Sequence, residues 1–181
     1  VDNLAVAKSN TSISFSSKTD GIATLTGAGS TPKAGTFTIT SAVSGSTAQD
    51  ITIEVNDSLE DIVSKINGVS DATGVRASIL QVGDSEFKIR IAAIKTGTAF
   101  SYSTGGDATV YNSLFTGVGA SSQAADNAQI TIDGSIVVTR SSNAISDAIE
   151  GLTLNLIQET PTFEIKVDIE NNVQATAESI A

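Results

Sequence analysis

Four polar side chains stand close enough in the chain to hold a cation: Asn56, Asp57, Glu60 and Asp61. They lack the alternating acid ladder and the distal Glu of a calcium loop. Acids in this position also stabilise the N-terminal end of a helix dipole without any metal, so capping is the preferred reading. Gly27 and Gly29 followed by Lys33 echo a phosphate-binding loop. The Gly-Lys-Ser/Thr ending is missing and no long helix follows, so a crossover between domains fits better. Gly105-Gly106-Asp107 reads as a turn, with no third glycine and no flanking βαβ unit for a nucleotide. Two carboxylates could act as in a glycosidase, but sugar clefts also use aromatic platforms. Trp is absent here, and Tyr102, Tyr111 and Phe115 lie near apolar runs, as core or interface residues do. With no His and no Cys there is no imidazole base, no thiolate, no nitrogen or sulfur ligand for zinc, and no disulfide. No catalytic, cofactor-binding or metal residue is nominated, no cofactor is expected, and the chain reads as no enzyme. Partner-binding residues stay unassigned.

What remains is architecture. The 181 residues suit one large domain or two small ones. Hydrophobic residues make up 40% and aromatics only 4%, so the core must be aliphatic. Ser and Thr supply roughly a quarter of the chain, a surface of short hydroxyls typical of secreted β-rich proteins. Twenty Asp and Glu against ten Lys and Arg give a net charge of -10. That balance argues against nucleic acid, whose binders need a cationic face, and against anionic lipid. No apolar run reaches the ~20 residues of a membrane span, and no signal peptide is visible. The opening at Val1 and the incipient helix at 171–181 read as cuts in a longer polypeptide.

Period-two alternation predicts strands at 12–16, 22–26, 36–40, 51–55, 75–82, 86–92, 129–133, 135–139, 152–157 and 163–169. Asp133-Gly134 between two of them predicts a hairpin, because that turn needs positive φ. The period changes at 58–67, where Leu59, Ile62, Val63 and Ile66 share one helical face. Asp57 is the expected cap, with Glu60 three residues on and Gly68 as the stop. A shorter helix is expected at 144–150, with Ile145, Ala148 and Ile149 inward and Gly151 as its stop. A third is expected at 171–181.

Residues 36–92 and 129–169 then share one element order, strand, strand, helix, strand, strand. The expected fold is α+β and predominantly β, with two ββαββ-like subdomains, one inserted in the other. Residues 1–33 and 120–181 would form a discontinuous outer domain around 34–119. Loops rich in Gly, Ser and Thr at 26–35 and 117–128 would be the seams.

Three strings carry a more specific signal. AQITIDGSIVVTRSSNAISDAIEGLTLNL at 128–156 resembles the bacterial flagellar filament-capping family, hook-associated protein 2, just before its C-terminal helices. The shared features are Ile132-Asp133-Gly134, Arg140-Ser141-Ser142-Asn143 and Ile149-Glu150-Gly151-Leu152-Thr153-Leu154. VDNLAVAKSNTS at 1–12 resembles the point where that family leaves its N-terminal helical region. SLEDIVSKINGVSDATGVRASIL at 58–80 resembles the Ile-Asn motif of flagellar hook-associated proteins, with Ile66-Asn67 in place.

The resemblance implies the β-rich head of an extracellular assembly protein at the flagellar tip, exported through the flagellar channel. Such a head promotes insertion and polymerisation of flagellin. The implied partners are flagellin, further copies in a ring-like homo-oligomer, and hook–filament junction proteins. A host surface joins them if the head is also adhesive. The coiled-coil leg of the family lies outside these residues, so a mostly monomeric state in dilute solution is expected. The alternatives are another flagellar axial protein, of the hook or of the hook–filament junction, and a secreted adhesin or surface-layer β-domain.

Overall fold

The computed structural model describes residues 1–25 and 32–159. In chain order these form β1 (Ser9–Thr11), β2 (Gly35–Ser41), β3 (Gln49–Ile53), α1 (Leu59–Gly68), α2 (Ser70–Thr73), β4 (Val75–Gly83) and β5 (Glu86–Ala93). A single 3-10 turn at Thr98–Phe100 precedes β6 (Tyr102–Gly106), α3 (Ala108–Phe115), β7 (Ser121–Gln123), β8 (Ala128–Ile132), β9 (Ile136–Arg140), β10 (Ala144–Ile149) and β11 (Leu152–Asn155). The chain is thus α+β and mostly β.

Two sheets enclose one aliphatic core. One has the order β4-β5-β1-β7 and the other β3-β2-β6, all pairs antiparallel. Alternation decides their faces: Phe37 and Ile39 of β2, Ile51 and Ile53 of β3, and Ile89 and Ile91 of β5 all point inward and are fully buried. Leu59, Ile62 and Ile66 of α1 and Val110 and Leu114 of α3 complete the same cluster. Burial of each such side chain is worth about 1.5–3 kcal/mol, so this cluster carries most of the described fold. Phe37 meets the Tyr111 ring at a tilt, centroids 5.8 Å apart, and Tyr111 stacks on Phe115 at 4.9 Å. Tyr102 is also buried. The four-stranded sheet draws β4 and β5 from 34–119, and β1 and β7 from the flanking segments.

The local reading needs several corrections. Helix α1 is capped by Ser58, whose Oγ accepts from Asp61 N at 3.2 Å, while Asp61 Oδ2 accepts from Ser58 N at 2.9 Å. The expected pair, Asp57 and Glu60, lies one residue too early, because Asp57 is drawn to Lys65 and to the Glu54 amide instead. Gly68 is the last residue of α1 rather than its stop. The left-handed residue is Gly74, after α2, at φ 65. At 12–16 the ladder breaks: buried Ser12 keeps Ile89, but Ile13 N turns away to Leu114 O, and pairing resumes only at Phe15 with Phe87. Residues 21–24 form a turn rather than a strand, with Thr24 N donating to Gly21 O, although Ile22 and Leu25 are buried as expected.

The expected helix at 144–150 is strand β10. Ile145, Ala148 and Ile149 fit a helical face, but Ile145 pairs with Leu154 and Ile149 with Leu152. Gly151, at φ 79, forms a hairpin turn instead of ending a helix. The segment from 128 to 155 is therefore two hairpins, β8–β9 and β10–β11, without the helix that a second ββαββ copy required. The hairpin at Asp133-Gly134 is present, with both residues at positive φ, 50 and 69, and Ser135 N donating to Ile132 O. Strand β6 and helix α3 were not anticipated. The expected strand at 163–169, the helix at 171–181, and Gly27 and Gly29 lie outside the described residues.

Candidate functional site

The residues with chemical potential are dispersed into separate structural tasks. Asp57 is buried beneath the start of α1, Asp61 closes the capping box, and Glu60 reaches out to Lys18 at 3.0 Å. Hydrogen bonds from Ser58 hold the Asp61 carboxyl below its ordinary value. Each acid of that cluster thus faces a different partner. Lys33 is fixed through its backbone, its amide donating to Ser113 Oγ at 2.9 Å. Gly105 and Gly106 are not the expected turn but the end of β6, paired with Thr38 and Phe37: a Cβ on Gly106 would lie 3.0 Å from Phe37 Cα, and Asp107 caps α3 by accepting from Thr109 N at 2.8 Å. The two bonds from Thr109 depress the Asp107 carboxyl. Burial pushes the Tyr102 phenol far above its usual range, and its hydroxyl donates to Asn10 Oδ1 at 2.6 Å. This is a core tyrosine, not a proton donor for a substrate.

Two asparagines do similar work at distant places. Asn67, after buried Ile66, donates from Nδ2 to Ala77 O at 3.1 Å and accepts from Ala77 N at 2.8 Å. Its amide replaces a neighbouring strand along the open edge of β4. Asn143 does the same for Ala5, accepting from its N at 2.7 Å and donating to its O at 3.0 Å. Around Asn143 the chain is tied down on several sides. Thr96 Oγ1 donates to Ser141 O at 2.6 Å, and Arg140 Nε bridges both oxygens of Asp147 at 2.9 and 3.0 Å. Gly97 passes so close that a Cβ there would sit 2.4 Å from Ser141 Cβ. Residues 2–6 run against 126–129 in the same region. Neither Asn67 nor Asn143 was singled out for this backbone mimicry, which no spacing rule reveals.

A shallow groove of about 390 Å³ lies between the β2–β3 turn and the end of β5, lined by Val43, Ile94, Phe100, Lys95 and Asp71 among others. Among the described residues no three acidic, His or Cys side chains gather as a metal site, and no helix is long and apolar enough to cross a membrane.

The motif segments match known families in chain order. The family described as flagellin hook IN motif matches residues 36–95, which hold α1 and its Asn67. The family described as flagellar hook-associated protein 2 C-terminus matches residues 125–181, which hold Arg140 to Asn143. The flagellar hook-associated protein 2 of Escherichia coli (strain K12) is 34% identical over 114 residues, 57% of this chain and 24% of that protein. The crystal structure of the flagellar cap protein FliD D2-D3 domains from Escherichia coli superposes with a TM-score of 0.66 at 29% identity, covering 88% of this chain and 80% of that one. The Serratia marcescens D2-D3 structure gives 0.67 at 27% identity, covering 88% and 86%.

Along its motif segments and in its fold, this chain is similar to flagellar hook-associated protein 2. It spans about a quarter of the length of the curated relatives it matches. In this chain the Ile-Asn motif has a mechanical reading: Ile66 anchors α1 in the core and Asn67 seals the edge of β4. The Arg-Ser-Ser-Asn stretch likewise secures the hairpins against residues 5 and 96.

Proposed function

We propose that the chain is the head of a flagellar filament cap, a structural protein that promotes insertion of exported flagellin at the filament tip. Its place would be extracellular, at the end of the flagellum. It would work by contact with flagellin, with neighbouring cap subunits and with hook–filament junction proteins. The observation that carries this reading is the ordered pair of family matches, 36–95 and 125–181, inside a fold that superposes on cap-protein D2-D3 domains. The engagement of Asp57, Glu60, Asp61 and Asp107 in caps and ion pairs supports a role in binding rather than in chemistry. The nested partition, 34–119 inserted between 1–33 and 120–181, belongs to the same reading, with β1 and β7 bridging its seams.

A cap must shift as subunits are added, so contacts with rapid dissociation suit it better than one large apolar seam. Genetics tests the proposal. Deleting the parent gene is expected to leave cells shedding unpolymerised flagellin, and a version lacking residues 1–181 is expected not to restore filaments. Normal filaments in the deletion strain would overturn the cap reading. Filaments restored by the headless version would remove this segment from any essential part.

A further inference from the structure

Asn67 is followed by Gly68, the one Asn-Gly pair in the sequence. That pair is chemically labile, because a glycine carries no side chain to hinder attack of its nitrogen on the asparagine amide. The position does not demand glycine for its shape. Gly68 is the last residue of α1, is not among the positive-φ glycines, and a Cβ there would meet nothing within 4 Å. Nor does burial protect the pair, since both residues are exposed. The helix ends beside it, with Val69 at φ -111 and ψ 15, and terminal turns fray first.

What restrains the pair is the clamp. Ring closure requires Gly68 N to reach Asn67 Cγ, with the Asn67 ψ swung far from the helical value of about -42°. The helix holds that angle, and the two bonds to Ala77 hold the side-chain amide towards β4. Asn143 clasps Ala5 with the same pair of bonds, but it is followed by Ala144, whose methyl crowds the attacking nitrogen.

We propose that Asn67-Gly68 is a latent deamidation site, locked while the Asn67 clamp is closed and released when the last turn of α1 opens. Gly68 N attacks Asn67 Cγ, the Cγ–Nδ2 bond breaks, and ammonia leaves with the Gly68 N–H proton, relayed through solvent. Water then opens the succinimide ring at either carbonyl, giving an aspartyl or an isoaspartyl residue. Neither product rebuilds the clamp. The aspartyl carboxylate only accepts, so Ala77 O loses its donor. The isoaspartyl form moves a methylene from the side chain into the main chain, so the carboxylate no longer reaches Ala77. Each event therefore unclasps the edge of β4 for good.

Peptide mapping by mass spectrometry on the 181-residue chain tests it, in mildly alkaline buffer with and without denaturing urea. In urea the Asn67 peptide is expected to gain aspartyl and isoaspartyl forms, while Asn143 stays largely an amide. In native buffer conversion at Asn67 should be slower by about tenfold or more, since only the opened fraction reacts. Ile66→Val, which loosens the adjacent anchor and keeps the fold, should speed the native reaction severalfold. Gly68→Ala should suppress the reaction in urea, and the open space around it lets the variant fold. Chain aged in urea and refolded should unfold at lower denaturant than fresh chain, and Gly68→Ala aged alongside should not. Equal rates in native buffer and urea, an amide that persists in urea, or a native rate indifferent to Ile66→Val overturns the proposal. So does aged chain as stable as fresh. None of these readouts involves flagellin, so a failure here leaves the genetic test of the cap reading untouched.

Discussion

Asn67 shows what a single side chain decides in this fold. Edge strands expose unpaired amides and carbonyls that invite aggregation, and β4 is such an edge. The Asn67 amide answers both groups of Ala77 at once. Losing it leaves them poorly satisfied, at about 1–3 kcal/mol. Asn67→Ala is therefore expected to lower stability by that amount in chemical denaturation. Asn67→Asp should lose less, since a carboxylate still accepts from Ala77 N, and Asn56→Ala should be within about 0.5 kcal/mol of wild type. Equal losses for all three would show that the clamp is idle. The capping acids set a pH dependence at the same scale. Ser58, Thr109 and Arg140 hold Asp61, Asp107 and Asp147 below the ordinary 3.8. A carboxyl depressed in the folded state contributes stability that is complete above its unfolded value and is lost as pH falls through its folded value. Thermal midpoints should thus decline below about pH 4. The triple Asp→Asn variant at these positions should show a shallower decline.

Among the elements, α1 is the keystone. Its capping box fixes the start, Asn67 ties its last turn to β4, and Leu59, Ile62 and Ile66 fill the space between the two sheets. Ile62 is fully buried within the aliphatic cluster. Ile62→Asp is expected to cost about 3–5 kcal/mol, through lost packing and an unpaired carboxylate. Calorimetry should show the melting transition falling by many degrees. A drop of only one or two would mean that this face is not buried in solution. The β10–β11 hairpin is a contrasting element. Its strands bury Ile145 and otherwise lie near the surface, so its position depends on polar ties at Asn143 and Ser141 rather than on a packed face.

At the scale of the whole molecule this contrast becomes a gradient of stability. The described core cluster runs from Ile13 to Phe115 and includes no residue of β8 to β11. Segments with few buried apolar contacts open first. Native-state hydrogen exchange is expected to be slowest in β4 and β5 and clearly faster in β8 to β11. Uniform protection across both would indicate a single cooperative unit. The division leaves one well-packed aliphatic body and a set of hairpins held by polar ties. It also explains how an acidic chain of short hydroxyls folds without disulfides, since the aliphatic cluster suffices.

The sequence alone determined those features in which one period dominated. Strands at 36–40 and 86–92 alternate cleanly because each has one face in the core; the run at 51–55 holds only to Ile53, with Val55 beyond β3 and exposed, and that at 75–82 loses its buried face after Ile79. The helix at 58–67 repeats its apolar face over nearly three turns, too long a match for any strand. The Asp133-Gly134 turn was legible because its positive φ needs those residue types. Tertiary structure decided the rest. Ile145, Ala148 and Ile149 satisfy a helical face and Gly151 tolerates the left-handed conformation at a helix end or a hairpin turn, so local preference was balanced there. Pairing with Leu152 and Leu154 and the Asn143 bonds to Ala5 tipped it to a strand. At α1 the cap moved one residue because Lys65 and the Glu54 amide claimed Asp57, leaving Ser58 and Asp61 to close the box. The Asn67 and Asn143 clamps depend on partners 10 and 138 residues away. A chain read in one dimension carries periods and turn chemistry; which polar group meets which is settled only when distant segments pack.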